Sequence, residues 1–343
     1  MSTAPSIAIV GAGLVGQRHV PRIQKCAQLS AVVDPAPTAA EFARQAGVPH
    51  FIDIHDLLAA QKPEGLLIAT PNHLHVRQAL LAIEEGIPVL VEKPISDKVS
   101  DAEVLVEASE ASGVPLLVGH HRRHNPKIAA AKKVIEDGRL GRLTAIQAQF
   151  WLYKPDDYFD AHWRQKEGAG PVFINLIHDI DLLRHLCGEV LWVQAMESRA
   201  TRKFDVEDTA AIVMEFECGA LATISVSDCA VAPWSWELTA SENDAYPHVP
   251  GRCYALGGTE ASLSIPDMRL WRHSKKKGWW EPIDSELISV AEEDPFVRQI
   301  DHFCEVIRGQ AEPLVSAREG TETLRVVEAI KKAAATGETV SIR

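Results

Sequence analysis

The chain is poor in the features that mark disulfide scaffolds, nucleic-acid binders and membrane proteins. Its six cysteines (Cys26, Cys187, Cys218, Cys229, Cys253 and Cys304) form no C-x-x-C pair, and no histidine cluster stands at zinc spacing. Scattered single cysteines in a chain of this length are expected to be reduced, mostly buried thiols. Basic charge is in deficit: 35 Lys and Arg stand against 47 Asp and Glu, a formal net charge of −12. Phosphate backbones are held by clustered Lys and Arg, so no nucleic-acid partner is expected. The densest basic run, Lys275-Lys276-Lys277, reads as a solvated turn. Long apolar runs are missing as well. Ile7–Val10 is too short for a membrane span or a leader's apolar stretch, and the opening residues carry no basic region. A cytoplasmic protein with no membrane partner is the expectation.

What is present is a chain of 343 residues with 46% hydrophobic content. That is ordinary globular composition at a length that suggests two domains. From Ser6 to about Asn125, short apolar runs (SIAIV, LSAVVD, GLLIAT, IPVLVE, PLLVG) alternate with segments of helical period. Each run is apolar throughout, as in strands covered on both faces, and the spacing suits crossover helices. A doubly wound parallel sheet is predicted over 1–124. After Gly141 the pattern changes. One apolar helix is predicted around Pro171–Leu186. Partly alternating runs follow (VLWVQAMES, DTAAIVMEFE, GALATISVSD, WSWELTAS, RCYALGG, ASLSIP), predicting an antiparallel sheet of about six strands. Helices over Asp294–Arg308 and Ala317–Thr336 close the chain, the second capped by Gly337. The second domain is assigned 125–343.

The first run leads into Gly11-Ala12-Gly13-Leu14-Val15-Gly16. In this context Gly11 permits a tight turn, Gly13 lets a pyrophosphate approach the backbone, and Gly16 allows close helix–strand packing. The helix that follows presents free N–H groups and a positive dipole end. The second run ends at Asp34, placed to accept hydrogen bonds from ribose hydroxyls and to repel a 2′-phosphate. The expected cofactor is therefore NAD, with NADP kept as the alternative. Two further strand ends carry polar groups, Thr70-Pro71-Asn72-His73-Leu74-His75 and Glu92-Lys93-Pro94, at the edge where ligands bind in such sheets. Proline after Lys93 favours an extended backbone there.

These blocks, together with WRQKEGAGPVFINLIHDIDLLRHLCG at Trp163–Gly188 and the C-terminal DPFVRQIDHFCEVIRG and EPLVSAREGTETLRVVEAIKKA, resemble the Gfo/Idh/MocA oxidoreductases over essentially the whole chain. The resemblance implies an N-terminal Rossmann domain followed by an α/β domain with a large, mostly antiparallel sheet. It implies hydride transfer between a nicotinamide and a secondary alcohol of a sugar, polyol or cyclitol. It places Lys93 near the reacting hydroxyl and makes His178 the general acid/base. It puts Trp163-Arg164 near cofactor and substrate, and Arg122 in the strand-end segment beside the cofactor. One position departs from the pattern. Where sugar and inositol dehydrogenases usually carry Asp or Asn, four residues before the histidine, this chain has Ile174. Asn175, one residue later, would return to nearly the same helical face.

Histidine suits proton transfer near neutrality. A bland alternative is that His178 and Asp181 merely pair on a solvent-facing helix surface. His120, His121 and His124 lack acidic or cysteine company, so no metal is expected. Trp151, Tyr153, Tyr158, Phe159 and Trp163 cluster in sequence, with Tyr158 in a polar loop suited to a polyhydroxy or cyclic substrate. Trp234–Tyr246 is a further, weaker candidate wall. The expected direct site set is thus Gly11, Gly13, Leu14, Val15, Gly16, Asp34, Thr70, Pro71, Asn72, His75, Glu92, Lys93, Arg122, Trp163 and Arg164 for the cofactor. Lys93, Asn175, Tyr158 and His178 are expected for the substrate. An NADP-linked reductase or dihydrodiol dehydrogenase, and a dinucleotide sensor without catalysis, are the competing readings. An uncovered sheet face in the second domain predicts a homodimer or homotetramer.

Overall fold

The computed structural model describes residues 4–342. Met1–Thr3, where the reading of the N-terminus begins, and Arg343, the last residue of the expected second domain, lie outside the described residues. Two compact units emerge. One holds the chain up to His124 and Glu293–Leu324; the other holds Asn125–Glu292 and the chain from Arg325 on.

The first unit runs β1 (Ser6–Val10), α1 (Leu14–Cys26), β2 (Gln28–Val33), α2 (Pro37–Ala46), β3 (His50–Phe51), α3 (Ile54–Ala60), β4 (Gly65–Ile68), α4 (His75–Glu84), β5 (Val89–Val91), α5 (Val99–Ser112) and β6 (Leu116–Val118). Its six strands are parallel, in the order β3-β2-β1-β4-β5-β6. Every residue of β4, β5 and β6 is buried, which accounts for their unbroken apolar character. The order reverses between β1 and β4, the switch point at which such sheets take ligands. The expected doubly wound sheet is present. It has one strand more than predicted, because the two residues of β3 are too few to show as an apolar run.

The second unit runs α6 (Pro126–Glu136), β7 (Leu143–Trp151), a π-helical turn over Val172–Leu176 that continues into α7 (Ile177–Cys187), β8 (Val190–Ser198), β9 (Thr209–Phe216), β10 (Leu221–Ser227), α8 (Trp236–Thr239), β11 (Tyr254–Gly258), β12 (Ser262–Ile265), β13 (Arg269–His273) and β14 (Ile283–Leu287). With β15 (Val340–Ser341) these strands form a nine-stranded sheet, antiparallel at every pair except β7 with β10. Phe150, Leu176, Ile180, Met214, Phe216, Tyr254 and Ile330 meet in its core. The sheet is larger than the predicted six strands. The segment WSWELTAS is not a strand: the Ser235 hydroxyl accepts the Leu238 N–H, starts α8, and leaves Trp236 buried beside Tyr254.

The segment Glu293–Leu324, expected in the second domain, clusters with the first unit. Helix α9 (Pro295–Ile307) contributes Ile300, Phe303, Cys304 and Val306 to the core built on Ile7, Ile9, Leu67 and Leu90. Its apolar face therefore belongs to the first unit. Helix α10 (Ala317–Thr336) follows and ends before Gly337, whose φ is +71°. Among the described residues no helix is long and apolar enough to cross a membrane.

Candidate active site

The glycine loop is shaped by close approaches. Gly11 has a φ of +100°, donates its N–H to the Val33 carbonyl at 2.8 Å, and leaves 2.6 Å between a would-be Cβ and the Ala69 carbonyl oxygen. Gly16 lies so near the Gly11 carbonyl that no side chain fits. Gly13 caps α1 and faces open space. The first N–H groups of α1 have no acceptor within the helix and carry its positive dipole end. Leu14 and Val15, which open the helix, are 79% and 41% exposed. The Asp34 carboxylate accepts the N–H groups of Ala12 and Ala36, each at 2.7 Å, binding the loop to the end of β2. Gly11, Gly13, Asp34, Thr70 and Pro71 line one cleft of about 570 Å³, and Arg77 lines it too. A cradle that a Cβ would fill, a helix N-terminus and an acid at the second strand fit a dinucleotide. Asn72 is placed otherwise: it opens a short turn and lines a neighbouring depression with His73 and Asp97.

Beyond β5 the chain turns at Glu92-Lys93-Pro94, with a cis peptide between Lys93 and Pro94. Glu92, expected beside the cofactor, has two partners within the chain. One carboxylate oxygen lies 2.7 Å from Nε2 of the buried His19, and the other accepts the Lys93 N–H at 3.2 Å. Burial alone would raise the Glu92 pKa. The His19 hydrogen bond and the charges of His19, His121 and Lys93 outweigh it and hold the carboxyl down at about 2. Gly119 makes room: a Cβ there would stand 3.1 Å from the Glu92 Cα.

His75, also expected beside the cofactor, lies against backbone on both sides. It is wholly buried, with Nδ1 2.9 Å from the Pro94 carbonyl and Nε2 2.9 Å from the Thr70 carbonyl. A neutral ring carries one N–H and donates it to one of these carbonyls, and its place between them links the ends of β4 and β5. Burial lowers its pKa despite both carbonyls. Arg122, in the short turn after β6, is buried, and its neighbour Arg123 reaches Glu319 at 2.9 Å. His19 and Arg77 were missed in the sequence. The only signal for His19 was a polar residue on the buried face of α1, and a lone helical arginine such as Arg77 gives none.

In the second unit, Asn175 sits inside the π turn and His178 on the first turn of α7. His178 is 7% exposed, Asp181 is buried, and Asp179 is bonded to the Tyr254 hydroxyl. The solvent-facing pairing of His178 with Asp181 is therefore excluded. Asn175 is partly exposed, and no described group donates to its side-chain oxygen. A π turn spends more residues per revolution than an α turn. The expected return of Asn175 to the face of His178 is thus incomplete.

The aromatic segment forms two short turns, Asp156–Asp160 and His162–Gln165. The Arg164 guanidinium stacks 4.1 Å from the Tyr158 ring centroid, and its Nη1 donates to the Tyr158 carbonyl at 2.6 Å. Burial raises the Tyr158 pKa, keeping the phenol protonated. Trp163 is exposed beside Arg164. Among the described residues no three metal-ligating side chains are grouped to hold an ion.

Two family descriptions match the chain: "Oxidoreductase family, NAD-binding Rossmann fold" over 6–120, and "GFO/IDH/MocA C-terminal domain" over 128–263. The chain belongs to this family of NAD(P)-dependent oxidoreductases. It is similar to D-apiose dehydrogenase of Paraburkholderia graminis, at 26% identity over 98% of this chain and 89% of that protein. It is similar to inositol 2-dehydrogenase 4 of Saccharopolyspora erythraea, at 31% identity over 64% of this chain and 66% of that protein. Among solved structures it resembles the WlbA dehydrogenase from Bordetella pertussis in complex with NADH and UDP-GlcNAcA. The TM-score there is 0.78 at 25% identity, covering 99% of each chain.

Proposed function

We propose that this protein transfers a hydride between NAD and a secondary alcohol of a sugar, polyol or cyclitol-like substrate. The observation that carries the reading is the cleft in which Gly11, Gly13 and Asp34 meet. The names of the relatives, D-apiose and inositol dehydrogenases, support a polyhydroxy substrate. Bound NAD supplies the hydride acceptor. His178 takes the hydroxyl proton. The Lys93 ammonium stabilises the developing alkoxide. The Asn175 side-chain oxygen accepts from a second substrate hydroxyl, while Tyr158, Trp163 and Arg164 wall the site. Arg77 keeps the NADP reading alive, because a guanidinium in the same cleft suits a 2′-phosphate.

The test is absorbance at 340 nm with NAD and then NADP against a panel of sugars, polyols, cyclitols and dihydrodiols. A signal with NAD that Lys93→Met abolishes is the expected result. A signal with NADP alone would reassign the cofactor. Cofactor binding with no turnover on any substrate would favour a sensor.

The protein is further proposed to be cytoplasmic and to form a homodimer or homotetramer through its nine-stranded sheet. One face of that sheet holds a depression of about 620 Å³ where Met196 and Val213 stand among Gln147, Gln194, Thr223 and Ser225. Met196 is 77% exposed there. A monomeric mass by light scattering would refute the assembly.

A further inference from the structure

We propose that Glu207 is a positioning residue whose carboxylate fixes the first turn of the helix carrying Asn175 and His178. This deepens the dehydrogenase reading and rests on it for the link to turnover. Glu207 lies just before β9 and is buried. Its Oε1 accepts the Val172 N–H at 3.1 Å, a buried bond between residues 35 apart in the chain. Its Oε2 accepts from the Lys331 ammonium at 2.7 Å, and the same ammonium lies 2.7 Å from Glu197 on β8.

Val172 opens the π turn. The N–H groups at a helix start have no acceptor within the helix, and a carboxylate there also meets the positive end of the helix dipole. Pro171, at the cap position, supplies no side-chain cap. Gly170 is a second, independent observation. A Cβ at 170 would fall on the Glu207 carboxylate, so the glycine is what lets the carboxylate reach the helix.

The position of this anchor relates it to chemistry. π turns are rare and concentrate at functional sites. Asn175 lies within this one and His178 just after it, so the spacing of the turn sets the angle between them. Without Glu207 the turn relaxes towards α spacing, and Asn175 moves relative to His178. The Lys331 ammonium keeps Glu197 as its partner, so the loss of Glu207 leaves no unpaired buried cation.

The experiment compares Glu207→Ala, Glu207→Gln, Gly170→Ala and His178→Asn in the full chain. The readouts are kcat with its pH profile, the Kd for NAD, and the His178 imidazole signals by nitrogen-15 NMR. Small misplacements of reacting groups cost up to roughly 10²-fold. Glu207→Ala is expected to lower kcat about 10- to 100-fold, with moved His178 signals and an unchanged Kd for NAD. Glu207→Gln keeps an oxygen for Val172 and recovers most of the turnover. Gly170→Ala reproduces the loss with the carboxylate still present. A lower Tm for Glu207→Ala with kcat, pH profile and His178 signals all unchanged would reduce the contact to an ordinary ion pair and overturn the proposal. So would a Glu207→Gln variant as impaired as Glu207→Ala. If His178→Asn turns over normally, the acid–base reading fails. The imidazole signals then decide alone: moved in Glu207→Ala they support the anchor, unmoved they overturn it.

Discussion

His19 and Glu92 are joined by a bond of 2.7 Å, so the helix that opens at the glycine loop is tied to the residue preceding Lys93. Removing the imidazole leaves a largely enclosed carboxylate without its main partner, which costs about 1–3 kcal/mol. His19→Ala is expected to lose that much in urea denaturation and to lower kcat, because the turn that places Lys93 loosens. Unchanged turnover in a destabilised variant would confine His19 to a purely structural part.

The same carboxylate gives a pH dependence with a definite sign. Its pKa is about 2 in the folded chain against an ordinary 4.5, so the folded state binds this proton less readily than the unfolded chain. The stabilisation is fully present above 4.5 and is lost as the pH falls from there through about 2. It amounts to at most about 3 kcal/mol. Glu92→Gln is expected to flatten this acid limb in denaturation curves taken across that range. An identical limb in both proteins would assign the acid sensitivity elsewhere.

Two glycines of one loop should fail differently. Gly13→Ala meets open space and is expected to fold with an unchanged Tm while binding NAD more weakly, because the methyl enters the phosphate cradle. Gly16→Ala drives a methyl into the Gly11 carbonyl and is expected to lower the Tm as well. Calorimetric titration and thermal melting of the pair separate cradle from packing.

His75→Ala unties the Thr70 and Pro94 carbonyls. It is expected to weaken NAD binding about tenfold, a loss of roughly 1.4 kcal/mol. His75→Gln should recover part of this, since an amide N–H can replace the one that the neutral ring donates. Equal affinity in all three proteins would show that the two strand ends hold their places without the ring.

Lys93→Met and His178→Asn are each expected to lower kcat by roughly 10²–10⁴-fold with the fold intact. Circular dichroism and steady-state kinetics on the same preparations check both halves of that statement.

The parallel sheet was legible because β4, β5 and β6 are buried on both faces and must be apolar throughout. Gly11 and Gly16 were legible because their backbone approaches exclude any side chain. The edge of the second sheet was not. Strand β14 is almost entirely exposed, and nothing in its residues separates a strand from a loop. The strand expected at WSWELTAS failed because Ser235, a local cap, overrode the β-favouring tryptophans. In the site, chain position showed which residues stand at strand ends but not how their side chains are used. The bonds by which Glu92 and His75 each hold a neighbouring segment left no sign in the sequence. Contacts such as Glu207 with Val172 join residues far apart in the chain and leave no local trace.

The placement of α9 bears on how the protein is made. Phe303 and Val306 complete a core begun by Ile7 and Ile9, so the nucleotide-binding unit is first in the chain to start and cannot be finished until the ribosome has passed residue 306. By then every strand of the other sheet except β15 has been synthesised. Nascent domains generally fold from the N-terminus onward, and here the earliest strands must wait, with one side of their core open, for a helix translated nearly three hundred residues later.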